Sequence, residues 1–175
     1  MIRFVRTFRA ADNGVSAIEF ALIVPVMLLT FFGVAEIANY INAARKVSNL
    51  ASTAADLTAQ DTSITDSEMN DIMGALDVIL RPFDPGTAQI RISSVVADGN
   101  GQTTIDWSDA RHTSPRAEGS TVTVPDDIVP EFQGIIMAEV SFTYTTPFGK
   151  YLTNGMTVSD TFYLKPRRST SVTRE

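Results

Sequence analysis

Hydrophobic and polar positions change their rhythm twice along this chain. From Ala17 to Ala35 the apolar run is nearly unbroken: across 19 residues the only charged side chain is Glu19 and the only other polar one is Thr30. As a helix that run rises about 28 Å, close to the roughly 30 Å of a bilayer's hydrocarbon core. A helix buried in a soluble protein would keep a polar stripe, and this run has none. The pattern predicts a transmembrane helix over 15–35.

Past the run the rhythm becomes helical. Ile37, Ile41, Ala44, Val47, Ala51, Ala54 and Leu57 recur at steps of three and four, and no proline or glycine interrupts residues 34–60. One helix is therefore expected from the membrane to about Gln60, with an amphipathic outer half whose alanines allow close approach to a sheet or another helix. Thr65-Asp66-Ser67-Glu68 fits a capping box, so a second helix should start near Asp66. Its apolar face is Met69, Ile72, Met73, Leu76, Ile79 and Leu80, and Pro82 and Pro85 end it.

The remainder alternates with period two. Ile90 and Ile92 mark one strand, Asp98-Gly99-Asn100-Gly101 a turn, and Ile105 and Trp107 a returning strand with both side chains on one face. Val122 and Val124 predict a short strand before Pro125. Val140, Phe142 and Tyr144 predict another, and Val158, Phe162 and Leu164 a last one in which Asp160 is the exception. Residues 108–120 read as an exposed loop and 166–175 as a flexible basic tail. Half-buried alternation implies an antiparallel sheet with one face covered, and the outer half of the long helix is its natural cover.

Charge sharpens this division. Residues 1–46 carry a net charge of +2, residues 47–164 of −11 and residues 165–175 of +3. An acidic middle lies between basic ends, so a nucleic-acid partner is not expected. The apolar fraction of 44% excludes a disordered chain. With no cysteine and a single His112, thiolate metal sites, cysteine nucleophiles and multi-histidine sites are excluded.

The remaining candidates for chemistry are weak. Asp106/Asp109 and Asp126/Asp127 are acid pairs in turn-like contexts, where aspartate is favoured for its local backbone bonds. The acidic stretch from Asp56 to Asp84 contains no calcium-loop pattern, and no Gly-x-Ser-x-Gly or phosphate-binding glycine motif occurs. His112 reads as a surface histidine, and Trp107, Tyr40, Tyr144, Tyr151 and Tyr163 as core or strand-pair residues. No enzyme, cofactor or metal site is expected.

Arg3, Arg6 and Arg9 precede the apolar run, whereas Arg45 and Lys46 follow it by about ten residues. That bias favours a cytoplasmic N-terminus, with the rest of the chain outside. Gly33-Val34-Ala35 has the small-x-small form that a signal peptidase accepts, although the run exceeds the 7–15 residues usual for a secretory signal. A second processing pattern is more specific. Gly14-Val15-Ser16-Ala17-Ile18-Glu19-Phe20 places a glycine between a basic leader and an apolar helix, with glutamate fifth after the glycine.

Leader, glycine, glutamate and the following Phe20-Ala21-Leu22-Ile23-Val24-Pro25 resemble the TadE-like pseudopilins of tight-adherence (Tad/Flp) pilus systems, and more generally the type IV prepilins. The resemblance covers residues 3–35. It implies cleavage between Gly14 and Val15 by a prepilin peptidase, and pairing of Glu19 with the amine of a neighbouring subunit. The physics of Glu19 stands beside it: a carboxylate in an apolar span is costly, by about 2.5 kcal/mol or more at the bilayer centre, and it either snorkels to the headgroups or pairs with a cation. Pro25 withholds a backbone donor and crowds the Ala21 carbonyl, giving a tolerated kink or a flexible joint.

The fold expected is α+β: a long N-terminal transmembrane and amphipathic helix packed on an antiparallel sheet, pilin-like. Its parts are a basic leader (1–14), a membrane helix (15–35), an extracytoplasmic α+β domain (36–165) and the tail. The resemblance implies a minor pseudopilin in the bacterial inner membrane, with periplasmic domain, or in the pilus fibre. Its partners would be other pilins through the N-terminal helix, the prepilin peptidase, the assembly platform of the inner membrane and the bilayer. Length favours a TadE-like over a TadG-like relative. Two other readings are an uncleaved, single-pass binding module, which would not need Glu19, and a membrane-tethered hydrolase using an acid pair.

Overall fold

Helix α1 runs from Asn13 to Ala59, unbroken through Pro25. In this computed structural model residues 13–125, 128–129, 133–145 and 155–175 are described. Arg3, Arg6, Arg9, Asp126, Asp127 and Tyr151 fall outside them. The chain divides between Tyr40 and Ile41 into two units. The described part of the first is helix alone.

The second unit holds the rest of α1 and everything after it. Strand β1 (Ser63–Ile64) is followed by helix α2 (Asp66–Ile79), a 3-10 turn (Pro85–Thr87) and the strands β2 (Ala88–Ala97), β3 (Thr103–Arg111), β4 (Gly134–Tyr144), β5 (Met156–Leu164) and β6 (Thr173–Arg174). Four strands form an antiparallel sheet in the order β3-β2-β4-β5, and β1 pairs with β6 in parallel. The fold is thus α+β in a pilin-like arrangement, a long N-terminal helix followed by an antiparallel sheet.

Local chemistry places the element ends where the sequence predicts them. At α2 the Thr65 hydroxyl accepts from the Glu68 amide at 3.3 Å, and the Glu68 carboxylate accepts from the Thr65 amide at 2.8 Å. The Thr65 amide and hydroxyl, both donating to it, hold the Glu68 carboxyl below the ordinary glutamate range. In the β2–β3 turn the Asp98 carboxylate accepts from the amides of Asn100 and Gln102 at 2.9 and 2.8 Å. Gly101 closes that turn at φ 77°, a conformation that costs glycine no steric strain.

The buried face of α1 in the second unit is a double row: Ala43, Val47, Leu50, Ala51, Ala54, Ala55, Thr58 and Ala59. The predicted stripe shares only Val47, Ala51 and Ala54 with it; Ala44 and Leu57 are half-buried and Ile41 is exposed. A helix lying on a sheet buries a band about 100° wide, so a single line of positions misses half of it. Alanines fill most of that band, and bulkier Ile41 stays out.

Register assigns the sheet faces. Ile90, Ile92, Ile136, Ala138, Val140 and Phe142 face the helices, and Arg91, Ser93, Val95, Met137, Glu139 and Tyr163 face away. Both helices use the first face. Ser48 of α1 donates to the Asp160 carboxylate of β5, which explains the polar exception in that strand. Lys46 donates to the Ile79 carbonyl at the C-terminal end of α2, 2.9 Å away. Asp77 of α2 pairs with Arg111 of β3 at 2.9 Å, and the Phe83 ring packs on Phe142 and Tyr144, both centroids 5.7 Å away.

Four expectations are corrected. Ile105 and Trp107 do not share a face: Ser94 pairs with Trp107 and Val95 with Ile105, so Asp106 is an extra residue that flips the alternation. The sheet is not covered on one side only, because Val95, Ile105, Val122, Ile135 and Met137 form a second core on the far face, flanked by Val124, Ile128 and Val129. Residues 122–125 form no strand; Val122 contributes one backbone bond to Thr103 and is buried. Residues 108–111 belong to β3, and the loop after them is clamped rather than free.

The tail is the largest difference. Arg167 donates its amide to Ala59, Val172 is fully buried, and its carbonyl accepts the Trp107 indole N–H at 2.7 Å. Arg174 reaches Asp109 at 2.7 Å and Asp66 at 2.6 Å. The backbone passes so close to β4 that a Cβ on Gly134 would lie 3.1 Å from the Ser171 Cβ and 3.3 Å from the Val95 carbonyl. A glycine there admits the tail.

Candidate membrane and assembly segment

Among the described residues nothing covers the apolar part of α1. An 18-residue window has a mean hydropathy of 2.3, and none of it is buried. Ile18, Phe20, Leu22, Leu29, Phe31 and Val34 are all exposed. A core helix of a soluble protein would be covered by its own domain, and an uncovered apolar surface of this size marks a membrane or protein contact. Thr30, the polar residue inside it, is already satisfied by donating to the Val26 carbonyl at 2.8 Å. Among the described residues one helix is thus long and apolar enough to cross a membrane.

Gly14 and Val15 sit in the first turn of α1, and a Cβ built on Gly14 would meet nothing within 4 Å beyond its own helix. The fold itself makes no demand for glycine at that position. Glu19 lies one helical turn on from Val15, on the same side of the helix. It is exposed and has no hydrogen-bond or ion-pair partner among the described residues. A helix starting at Val15 would leave four amides unpaired at its end, a positive pole close to this carboxylate. Phe20 is exposed beside it. Pro25 is inside the helix, where the Ala21 carbonyl has no amide to accept from.

Glu36 ends the apolar stretch and was counted in the sequence only as a charge. Its Oε1 is shielded from water and has no hydrogen-bond partner among the described residues. The signal that would have singled it out is its position as the first charge after the run.

The titratable clusters among the described residues of the second unit tie loop and tail to the sheet. Glu139 accepts from Arg116 at 2.9 and 2.7 Å and from Arg91 at 3.2 Å. Burial alone would raise its pKa, but the two guanidinium groups prevail and hold it below the ordinary glutamate value. Arg91 also donates to the Ser114 carbonyl at 3.0 Å, so this cluster pins the loop after β3 to the sheet. Of the acid pairs, Asp109 is taken by Arg174 and Asp106 is exposed on the bulge. His112, at φ 56°, contacts the Ala88 carbonyl through Nδ1 at 2.8 Å. Among the described residues no three His, Asp or Glu side chains gather to hold a metal.

Fold and site together define a protein whose bare apolar helix precedes an α+β domain, arranged as in pilins. The model of the TadE-like protein family matches residues 14–56, from Gly14 through the apolar helix to Asp56 of the packed part. Over that stretch the chain is similar to the family, which carries the resemblance some twenty residues beyond the span. Searches of curated proteins and of solved structures return no match.

Proposed function

We propose that this protein is a minor pseudopilin, a structural assembly component of a tight-adherence pilus. The observation that carries the proposal is an apolar helix that the described residues leave bare, lying inside the TadE-like match. Before assembly the bilayer covers that helix, with the N-terminus in the cytoplasm and the acidic domain outside. A prepilin peptidase hydrolyses the Gly14–Val15 amide, and the open space at Gly14 fits a residue kept for an enzyme rather than for the fold. The cut exposes a positive amine on Val15. Glu19, without a partner among the described residues, then pairs with the amine of an adjacent subunit and sets the register of neighbouring helices. Pro25 supplies the joint that lets the helix leave the bilayer. Other pilins and the assembly platform are its partners.

The test is the intact mass and N-terminal sequence of the protein extracted from its native membrane. Loss of the first fourteen residues removes about 1.5 kDa of the 19.0 kDa chain, and the protein then begins at Val15. A chain beginning at Glu36, lighter by about 3.8 kDa, would make it a secreted protein instead. A chain still beginning at Met1 would replace the pseudopilin with an uncleaved, anchored binding domain.

A further inference from the structure

The two edges of the four-stranded sheet are treated differently. Along β3 the backbone is already occupied: Ile105 donates to Ser120 at 3.0 Å, Gly119 donates to Ile105 at 2.8 Å, and Val122 donates to Thr103 at 3.1 Å. Strand β5 pairs with β4 along its whole length, and among the described residues no strand pairs with its other side. Exposed edges are normally guarded by lysine, proline, a bulge or an inward-pointing charge. Met156–Leu164 contains no lysine or proline and no register shift. Its one charge, Asp160, points toward α1, where Ser48 engages it, and is the single guard of that kind along this edge. Met156 and Phe162 remain 38% and 39% exposed.

A groove flanks this strand on each side. On the helix side Ser52, Asp56, Phe162 and Leu164 line about 350 Å³. On the other side Ile128, Tyr163 and Lys165 wall about 670 Å³ that also reaches Phe162 and Leu164. A strand laid along β5 would send successive side chains into the two grooves in turn, while its backbone completed the open edge. A second copy of β5 fits badly, because antiparallel pairing centred on Asp160, or parallel pairing in register, sets Asp160 against Asp160. Charge points to a different occupant. Lys165 and Arg168 are exposed just past the end of β5 and enter no ion pair among the described residues.

We propose that the β5 edge docks an extended segment of a partner protein, alternating apolar and polar residues, with carboxylates where it passes Lys165 and Arg168. The site lies wholly within residues 41–175 and stands whether or not the leader is cleaved. The test uses the full chain in detergent micelles and two fluorescent ten-residue peptides of alternating valine and threonine, one ending in two glutamates and one in two lysines. The glutamate peptide should bind saturably and slow amide exchange in β5 above all other strands. The double variant Lys165→Glu, Arg168→Glu, checked for an unchanged far-UV spectrum, should reverse the preference by about tenfold. Unchanged exchange in β5, or binding indifferent to the charge reversal, would overturn the proposal. Protection of β5 that grows with protein concentration in the absence of peptide would overturn it in favour of a second copy.

Discussion

Replacing Val172 by alanine asks whether the last ten residues belong to the folded domain. Val172 is fully buried, and its carbonyl accepts the indole N–H of Trp107 at 2.7 Å. Removing two buried carbons costs about 1.6 kcal/mol in lost transfer free energy, and incomplete collapse of the cavity brings the total to about 2–3 kcal/mol. A flexible tail would respond within about 0.5 kcal/mol. Trp107 is the sole tryptophan, so its emission reports on the tail directly. Urea titration of the full chain in micelles, followed by that emission, should show an earlier midpoint for Val172→Ala with an unchanged slope. In a thermal scan the same loss lowers Tm by roughly 5–10 °C for a chain of this length. A midpoint shift under about 0.5 kcal/mol, with the Trp107 emission unaltered by cutting the chain back to Thr170, would refute the docked tail.

Three further outcomes are expected. Gly14→Leu should leave the protein at full mass on intact mass spectrometry, with an unchanged helix content, because the fold offers open space there and the peptidase does not. Glu19→Ala should reach the membrane normally by fractionation yet abolish its recovery in sheared pili; normal pili would favour an anchor over a pseudopilin. Glu139→Gln should cost about 2 kcal/mol at pH 7 by leaving two half-buried arginines unpaired. The carboxyl of Glu139 is held below its ordinary value, so its contribution is present above about pH 4.3 and lost as pH falls through the lower folded value. The difference between wild type and Glu139→Gln, measured by denaturant titration, should therefore shrink in acid; a constant difference down to pH 2 would refute the clamp.

Some of this protein is decided within a few residues. The apolar run, the Thr65–Glu68 capping box and the Asp98–Gly101 turn depend on near neighbours alone, and each was legible in the chain. So was the long apolar helix, because a run of that length and hydropathy forms a helix without a partner from its own domain. Other features depend on groups far away in sequence. Asp160 looked misplaced in its strand until Ser48, 112 residues earlier, came beside it. The tail read as loose because what holds it, the Trp107 indole 65 residues away and Asp66 at 108, leaves no mark in a short window. One inserted residue at Asp106 reversed the faces of Ile105 and Trp107, and period-two counting does not see an insertion that only the register of β2 defines. Local hydrogen bonds and solvent preference are written into short stretches of chain. Register, docking and the choice of which edge stays open are set by long-range packing, and those only the tertiary structure decided.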